Sequence, residues 1–264
     1  MEREYNSFTY NRIRTLIFLS AEILLYIGFL YIDITGNASY TLSNYLKFTG
    51  IILCFLFTLF LPCQKRADII ILRAALLFTL ISDLFILIMD YYIWGVVTFY
   101  IVQTLYLIRL GLWKNQLELK GAPSGRIIKK FMRNIITSIC ILILIAFMNI
   151  KMEVLIILSC FYFVSILFNT AGAVWTAFKS KVQNRIIFAA GMVLFLLCDI
   201  NVGLFNLSDF LIFNSGQFSV LTKFSAVAMW LFYLPAQVCI CLSGLYPNNM
   251  KDTSVIGSEL FSTK

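Results

Sequence analysis

Residues 68–89 read DIIILRAALLFTLISDLFILIM and residues 91–110 read YYIWGVVTFYIVQTLYLIRL, with Asp90 alone between them. Each run has the roughly 20 residues that a helix needs to cross a hydrocarbon core, and is far longer than a strand. No water is at hand in a bilayer to satisfy backbone amides, so a run of this kind has to be helical. Two such helices joined by one polar residue form a hairpin, and the pattern recurs along the chain. Apolar stretches lie near 13–32, 45–62, 68–89, 91–110, 131–150, 153–178, 185–206 and 223–246. The first follows Arg12 and Arg14 as a signal peptide would, but it is too long and no small-residue cleavage site follows Tyr31. The fold class expected is an all-α polytopic membrane protein of eight transmembrane helices, a single transmembrane domain over 1–264.

The composition points the same way. Of 264 residues, 61% are hydrophobic and 13% charged, against about 25% charged in a soluble domain. That excludes a soluble globule, a disordered chain and a small disulfide scaffold. The net charge of +8 would suggest nucleic acid in a soluble protein. Here the cations lie in short connections, where they set topology against anionic lipid, and no nucleic-acid partner is expected. Eighteen of the Lys and Arg residues fall in the N-terminus, the even-numbered connections and the tail. Only Lys47, Lys151 and Lys223 fall on the other side. The positive-inside rule then puts both termini in the cytoplasm.

The one sizeable loop, about 111–130, holds Gly121, Ala122, Pro123, Ser124 and Gly125. It divides the chain into halves 1–120 and 121–250, followed by a short cytoplasmic tail, 251–264. The halves echo each other. LFTLISD ends at Asp83 in span 3, and VLFLLCD ends at Asp199 in span 7. Spans 4 and 8 each carry Phe-Tyr followed by Gln: Phe99, Tyr100 and Gln103, then Phe232, Tyr233 and Gln237. Four spans per half would make this a 4+4 parallel repeat.

Histidine is absent, which excludes a Ser-His-Asp triad, a Cys-His dyad and His-based zinc sites. The cysteines, Cys54, Cys63, Cys140, Cys160, Cys198, Cys239 and Cys241, include no CxxC pair and read as small buried hydrophobes. No metal and no cofactor is expected. An ionisable side chain deep in a span costs about 2.5–3.5 kcal/mol on the insertion scale and marks a functional position by default. Three acids qualify: Glu22 in span 1, Asp83 in span 3 and Asp199 in span 7. The two aspartates fall at similar depth towards the outer side, and Glu22 falls nearer the midplane. Gly95, Phe99, Gln103 and Tyr106 share one face of span 4, as do Trp230, Tyr233, Gln237 and Gly244 on span 8. Such stripes also serve ordinary helix packing, and Gln103, Gln237 and Asn169 also suit interhelical hydrogen bonds. Lys47 and Lys223 open spans 2 and 8 as interfacial anchors, Lys47 within reach of a head-group phosphate. The sequons at Asn37 and Asn206 lie on the outer side.

Low dielectric disfavours a charged carboxylate, and a second acid nearby disfavours it further. A pair can hold one proton and leave one group charged, the division of labour that acid–base hydrolysis needs. Bonds that break through an oxocarbenium ion suit a carboxyl pair, as glycosidases illustrate. A vinyl ether is one such bond, and a site within the bilayer admits a lipid carrying it laterally.

The run ALLFTLISD ending at Asp83 resembles the YhhN family of lysoplasmalogenase-like membrane proteins. So do Gly95, Phe99 and Tyr106 in the next helix, Asp199 in span 7, and Phe232-Tyr233 with Ala236-Gln237 in span 8. Lys47 also matches a lysine of the family, and the resemblance extends over most of the chain. It implies hydrolysis of the vinyl ether of a lysophospholipid, a lysoplasmalogen, to a fatty aldehyde and a glycerophospho-ethanolamine or -choline. Asp83 and Asp199 would be the catalytic acids. Lys47, Gln103, Tyr106, Tyr233, Gln237 and Glu22 would line the substrate site. The chain departs from the family's usual pattern at three positions: Ser82 for Gly, Gln103 for His and Phe48 for Pro. The alternative is a proton-coupled transporter or lipid-binding membrane protein using the same acids. The expected partners are the lysophospholipid and membrane lipids, with the oligomeric state left open. The Phe/Ile/Lys-rich composition points to a bacterial plasma membrane.

Overall fold

A computed structural model describes residues 2–36, 40–61, 67–118, 123–148, 152–206 and 215–245. All of the regular structure among them is helical: α1 (Glu2–Thr35), α2 (Tyr40–Leu59), α3 (Ala67–Asp83), α4 (Tyr92–Glu118), α5 (Pro123–Phe147), α6 (Val154–Ser180), α7 (Gln183–Asn206) and α8 (Ser215–Leu242). Each is long and apolar enough to cross a membrane. The outer surface bears this out physically: Leu24, Phe147 and Phe178 are more than 70% exposed, which is affordable against lipid and not against water.

The expected loop at 111–130 is mostly helix. α4 runs on to Glu118 and α5 begins at Pro123. Proline suits a first helical turn because its missing N–H would have had no intrahelical partner there. Arg126, Lys129, Lys130 and Arg133 therefore ride on the first turns of α5, where the sequence reading had put a Gly/Pro-containing connection. Lys65, Arg66, Lys120, Lys151, the sequon Asn37 and the tail 251–264 lie outside the described residues.

Six helices close a ring, α2–α3–α4–α6–α7–α8 and back to α2, with α1 laid against α2 and α8 and α5 against α4 and α6. The neighbours recur four helices on: α1–α2 with α5–α6, α1–α8 with α4–α5, α2–α3 with α6–α7, α3–α4 with α7–α8, and α2–α8 with α4–α6. Glycines set the closest approaches. A methyl at Gly191 on α7 would come within 2.8 Å of Ile240 and 3.0 Å of the Ala236 carbonyl on α8.

α1 is attached mainly by a stripe of side chains spaced four or three apart: Arg14, Phe18, Glu22, Tyr26, Phe29 and Asp33. Arg14 Nη1 donates to the Phe60 carbonyl at 2.7 Å. With Arg73, which donates to the carbonyls of Thr58, Leu59 and Leu61, it covers the last turn of α2, where carbonyls have no helical partner. Tyr26 donates to the Leu231 carbonyl at 2.9 Å. Leu231 precedes Pro235 by four residues inside α8, so this carbonyl is the one that proline's missing N–H leaves unbonded.

At the charge-rich end of the bundle Arg109 is fully buried. Its guanidinium stacks 4.4 Å from the Trp113 ring and 4.8 Å from Phe188, and Nη1 donates to Ser243 at 2.9 Å. Lys223, at the opposite end, is exposed as an anchor would be.

Candidate active site

Asp83 closes the regular part of α3, and the next five residues, Leu84–Ile88, wind as a π-helix. The wide turn is marked by Met89 N–H donating to Leu84 O at 3.1 Å, and Asn44 of α2 steadies it by donating to Leu87 O at 3.2 Å. A π turn is a costly irregularity that concentrates at functional positions. The hairpin then reverses through Asp90 at φ 55°, a left-handed conformation that aspartate tolerates better than most residues.

α4 crosses α3 beside this carboxylate with almost no clearance. A methyl on Gly95 would collide with the Ile86 side chain and lie 3.4 Å from the Ser82 carbonyl. The Ser82 hydroxyl donates to Gly95 O at 2.6 Å, tying the seam between α3 and α4.

The two aspartates are held alike. Asp83 Oδ2 accepts from the Tyr233 hydroxyl of α8 at 2.7 Å, and Asp199 Oδ2 accepts from the Tyr162 hydroxyl of α6 at 2.7 Å. Asp83 sits five residues before the end of its span and Asp199 seven before the end of its own, so both lie in the charge-poor third. Between the two tyrosines stands Phe99, its ring centroid 5.9 Å from Tyr162, 6.3 Å from Tyr233 and 5.8 Å from Phe195. Cys198 lies within electrostatic range of both carboxylates. Two acids, two phenols and a wall of aromatic edges thus come from α3, α4, α6, α7 and α8. Tyr162 was not singled out in the sequence, although it lies two turns before Asn169 on the same face of α6.

Deeper on the same faces, Asn169 donates to both the backbone carbonyl and Oε1 of Gln103, at 2.8 and 3.1 Å. Gln103 is therefore interhelical glue on its oxygen side, while its Nε2 is buried with no partner among the described residues. Both polar atoms of Gln237 are in the same state. Buried amide groups are nearly always hydrogen-bonded, so these three atoms are open to a polar guest. Tyr106 is fully buried, its ring edge-on to Phe188 at 5.4 Å and its hydroxyl beside Thr79.

Two of the expected site residues lie apart from the aspartates. Glu22 is buried on α1, where it accepts from the Cys54 thiol at 3.5 Å. Its other oxygen lies over Gly50, 3.1 Å from where a Cβ would be. Lys47 is buried, not spread at an interface: its ammonium pairs with Asp33 at 2.8 Å and lies 4.4 Å from the Trp230 ring. Trp230 in turn meets Tyr233 edge-on at 5.5 Å. Asp33, absent from the sequence reading, would have been found by following Glu22, Tyr26 and Phe29 one further turn.

Between α4, α5 and α6 an apolar groove of about 280 Å³ is lined by Val96, Val97, Tyr100, Ile135, Leu158 and Phe161. Tyr100 and Phe161 are the chain neighbours of Phe99 and Tyr162. Among the described residues no group of three His, Cys, Asp or Glu side chains could hold a metal ion.

The model of the YhhN family matches residues 42–244. That range takes in both aspartates, both tyrosines, Lys47 and the two glutamines, and leaves Glu22 and Asp33 outside it. No curated protein and no solved structure matches the chain.

Proposed function

The chain belongs to the YhhN family, whose members are lysoplasmalogenase-like membrane proteins, and from that premise we propose that it hydrolyses the vinyl ether of a lysophospholipid within the bilayer. The observation that carries this reading is the pair of intramembrane carboxylates, each bonded to a tyrosine hydroxyl at 2.7 Å across a common aromatic wall.

The chemistry runs as follows. One carboxyl group protonates the carbon of the double bond that is remote from the ether oxygen. The positive charge that develops is an oxocarbenium ion, stabilised by the second, ionised carboxylate and by the faces of neighbouring aromatic rings. Water adds to the cationic carbon and gives its proton to that carboxylate. The resulting hemiacetal collapses: the carboxyl that took the water's proton gives it to the departing glycerol oxygen, the C–O bond to glycerol breaks, and the hemiacetal hydroxyl proton returns to the first carboxylate. One water is consumed, and one aldehyde and one alcohol are released. The two acids share the acid and base roles, and the tyrosine hydroxyls fix their orientation. Gln103 and Gln237 offer donors and an acceptor to the glycerol oxygens and the attacking water. The groove between α4, α5 and α6 gives the hydrocarbon chain a lateral berth.

The test is fatty-aldehyde release from 1-alkenyl lysophosphoethanolamine by the purified protein, beside Asp83→Asn and Asp199→Asn. Both substitutions keep the side-chain shape and should abolish turnover without loss of thermal stability. Wild-type rates in either variant would refute the mechanism. Absence of aldehyde from the wild type, across head groups and pH, would refute the reaction and direct the search to lipid binding and transport.

A further inference from the structure

Lys47 is 2% exposed, and a charge so enclosed has to keep a counter-ion or be strongly destabilising. Asp33 supplies it from the last turn of α1, at 2.8 Å and with a side chain 14% exposed, so it is the accessible member of the pair. Ser43 holds the other oxygen of Asp33 at 2.6 Å. The Lys47 ammonium also faces Phe29 at 5.8 Å and Trp230 at 4.4 Å. A carboxylate among aromatic rings is the chemistry that recognises ammonium groups in general. Here the chain's own lysine occupies it. The Trp230 ring lies against both the Lys47 ammonium and Tyr233, whose hydroxyl holds Asp83.

Building on the function proposed above, we propose that Asp33 and Lys47 form a head-group site for a zwitterionic lysophospholipid, in which binding exchanges one ion pair for two. The phosphate takes over Lys47, and the head-group ammonium takes over Asp33. Neither buried charge is left alone at any stage, which makes the exchange feasible in a low-dielectric setting. A phosphate monoester carries no ammonium. It would leave Asp33 facing a second anion, so Asp33 selects against it. Asp33 is thereby a specificity-determining residue, and Lys47 the phosphate-binding one.

The experiment uses the full-length protein in nanodiscs. Binding of uncleavable 1-alkyl lysophosphocholine, 1-alkyl glycerol-3-phosphate and 1-alkylglycerol is read from the rise in unfolding temperature. Turnover of the matching 1-alkenyl lipids is read in parallel. The wild type should bind the zwitterion more tightly than the phosphomonoester, and Asp33→Asn should shrink that ratio at least tenfold. Lys47→Gln should weaken both phospholipids relative to the alkylglycerol. The double variant Asp33→Asn/Lys47→Gln leaves no unpaired charge to impair folding, and should treat the three lipids alike. Free glycerophosphocholine should compete only weakly, because it lacks the chain. An unchanged head-group ratio in Asp33→Asn or in the double variant overturns the proposal. So does a Lys47→Gln loss that is equal for the neutral lipid. Binding selectivity without aldehyde release would sink the hydrolase reading and leave this site standing.

Discussion

Replacing Tyr233 with Phe removes one oxygen atom from the candidate site and almost nothing else. The ring keeps its edge contacts with Phe99, Phe195 and Trp230, so no cavity forms. What is lost is a 2.7 Å hydrogen bond to Asp83 Oδ2. Hydrogen bonds to charged groups are worth about 1.5–3 kcal/mol, and about 1.4 kcal/mol is a factor of ten in rate. If the bond orients Asp83 through the transition state, kcat for aldehyde release should fall roughly 10- to 150-fold. KM should move little, since the hydroxyl is spent on the acid and not on the lipid. The assay is initial-rate aldehyde release by the purified variant, with unfolding temperature measured alongside. Tyr162→Phe, which removes the equivalent bond to Asp199, should behave the same way. A Tyr233→Phe enzyme with wild-type kcat would refute the assignment of Tyr233 as a positioning residue for the acid.

Further expectations concern the framework around the site. Tyr26→Phe leaves the Leu231 carbonyl without a donor and should cost about 1–3 kcal/mol of stability, read from thermal unfolding in detergent. In a Pro235→Ala background, where a restored N–H can bond Leu231 O, the same substitution should cost almost nothing; an undiminished cost would show that the carbonyl is not the reason. Gly95→Ala drives a methyl into Ile86 and should lose about 1–3 kcal/mol as an overpacked seam. It should also lower aldehyde release, because that seam carries Asp83. A fully active, fully stable Gly95→Ala protein would show that α3 and α4 can separate freely.

The membrane class, the count of eight spans and the matched depth of Asp83 and Asp199 were all legible in the sequence. They depend on hydrophobic run length and on the position of a residue along a run, both one-dimensional quantities. Helical spacing alone also put Trp230, Tyr233 and Gln237 on one face of α8. The length of the loop at 111–130 was misjudged because Gly121, Pro123 and Gly125 read as breakers, whereas Pro123 opens α5.

Which side chain meets which was decided only by the tertiary structure. The bonds of Tyr162 to Asp199, Tyr233 to Asp83, Lys47 to Asp33 and Tyr26 to Leu231 each join helices whose rotation about their own axes the sequence does not fix. In a soluble helix the polar face would reveal that rotation. In a bilayer the lipid-facing side is as apolar as the packed side, so the periodic signal that orients a helix is erased. Composition and run length therefore determined that this chain is a bundle of membrane helices with acids inside it. Packing between those helices determined that Asp83 and Asp199 each have a phenol, and that the enclosed Lys47 has Asp33.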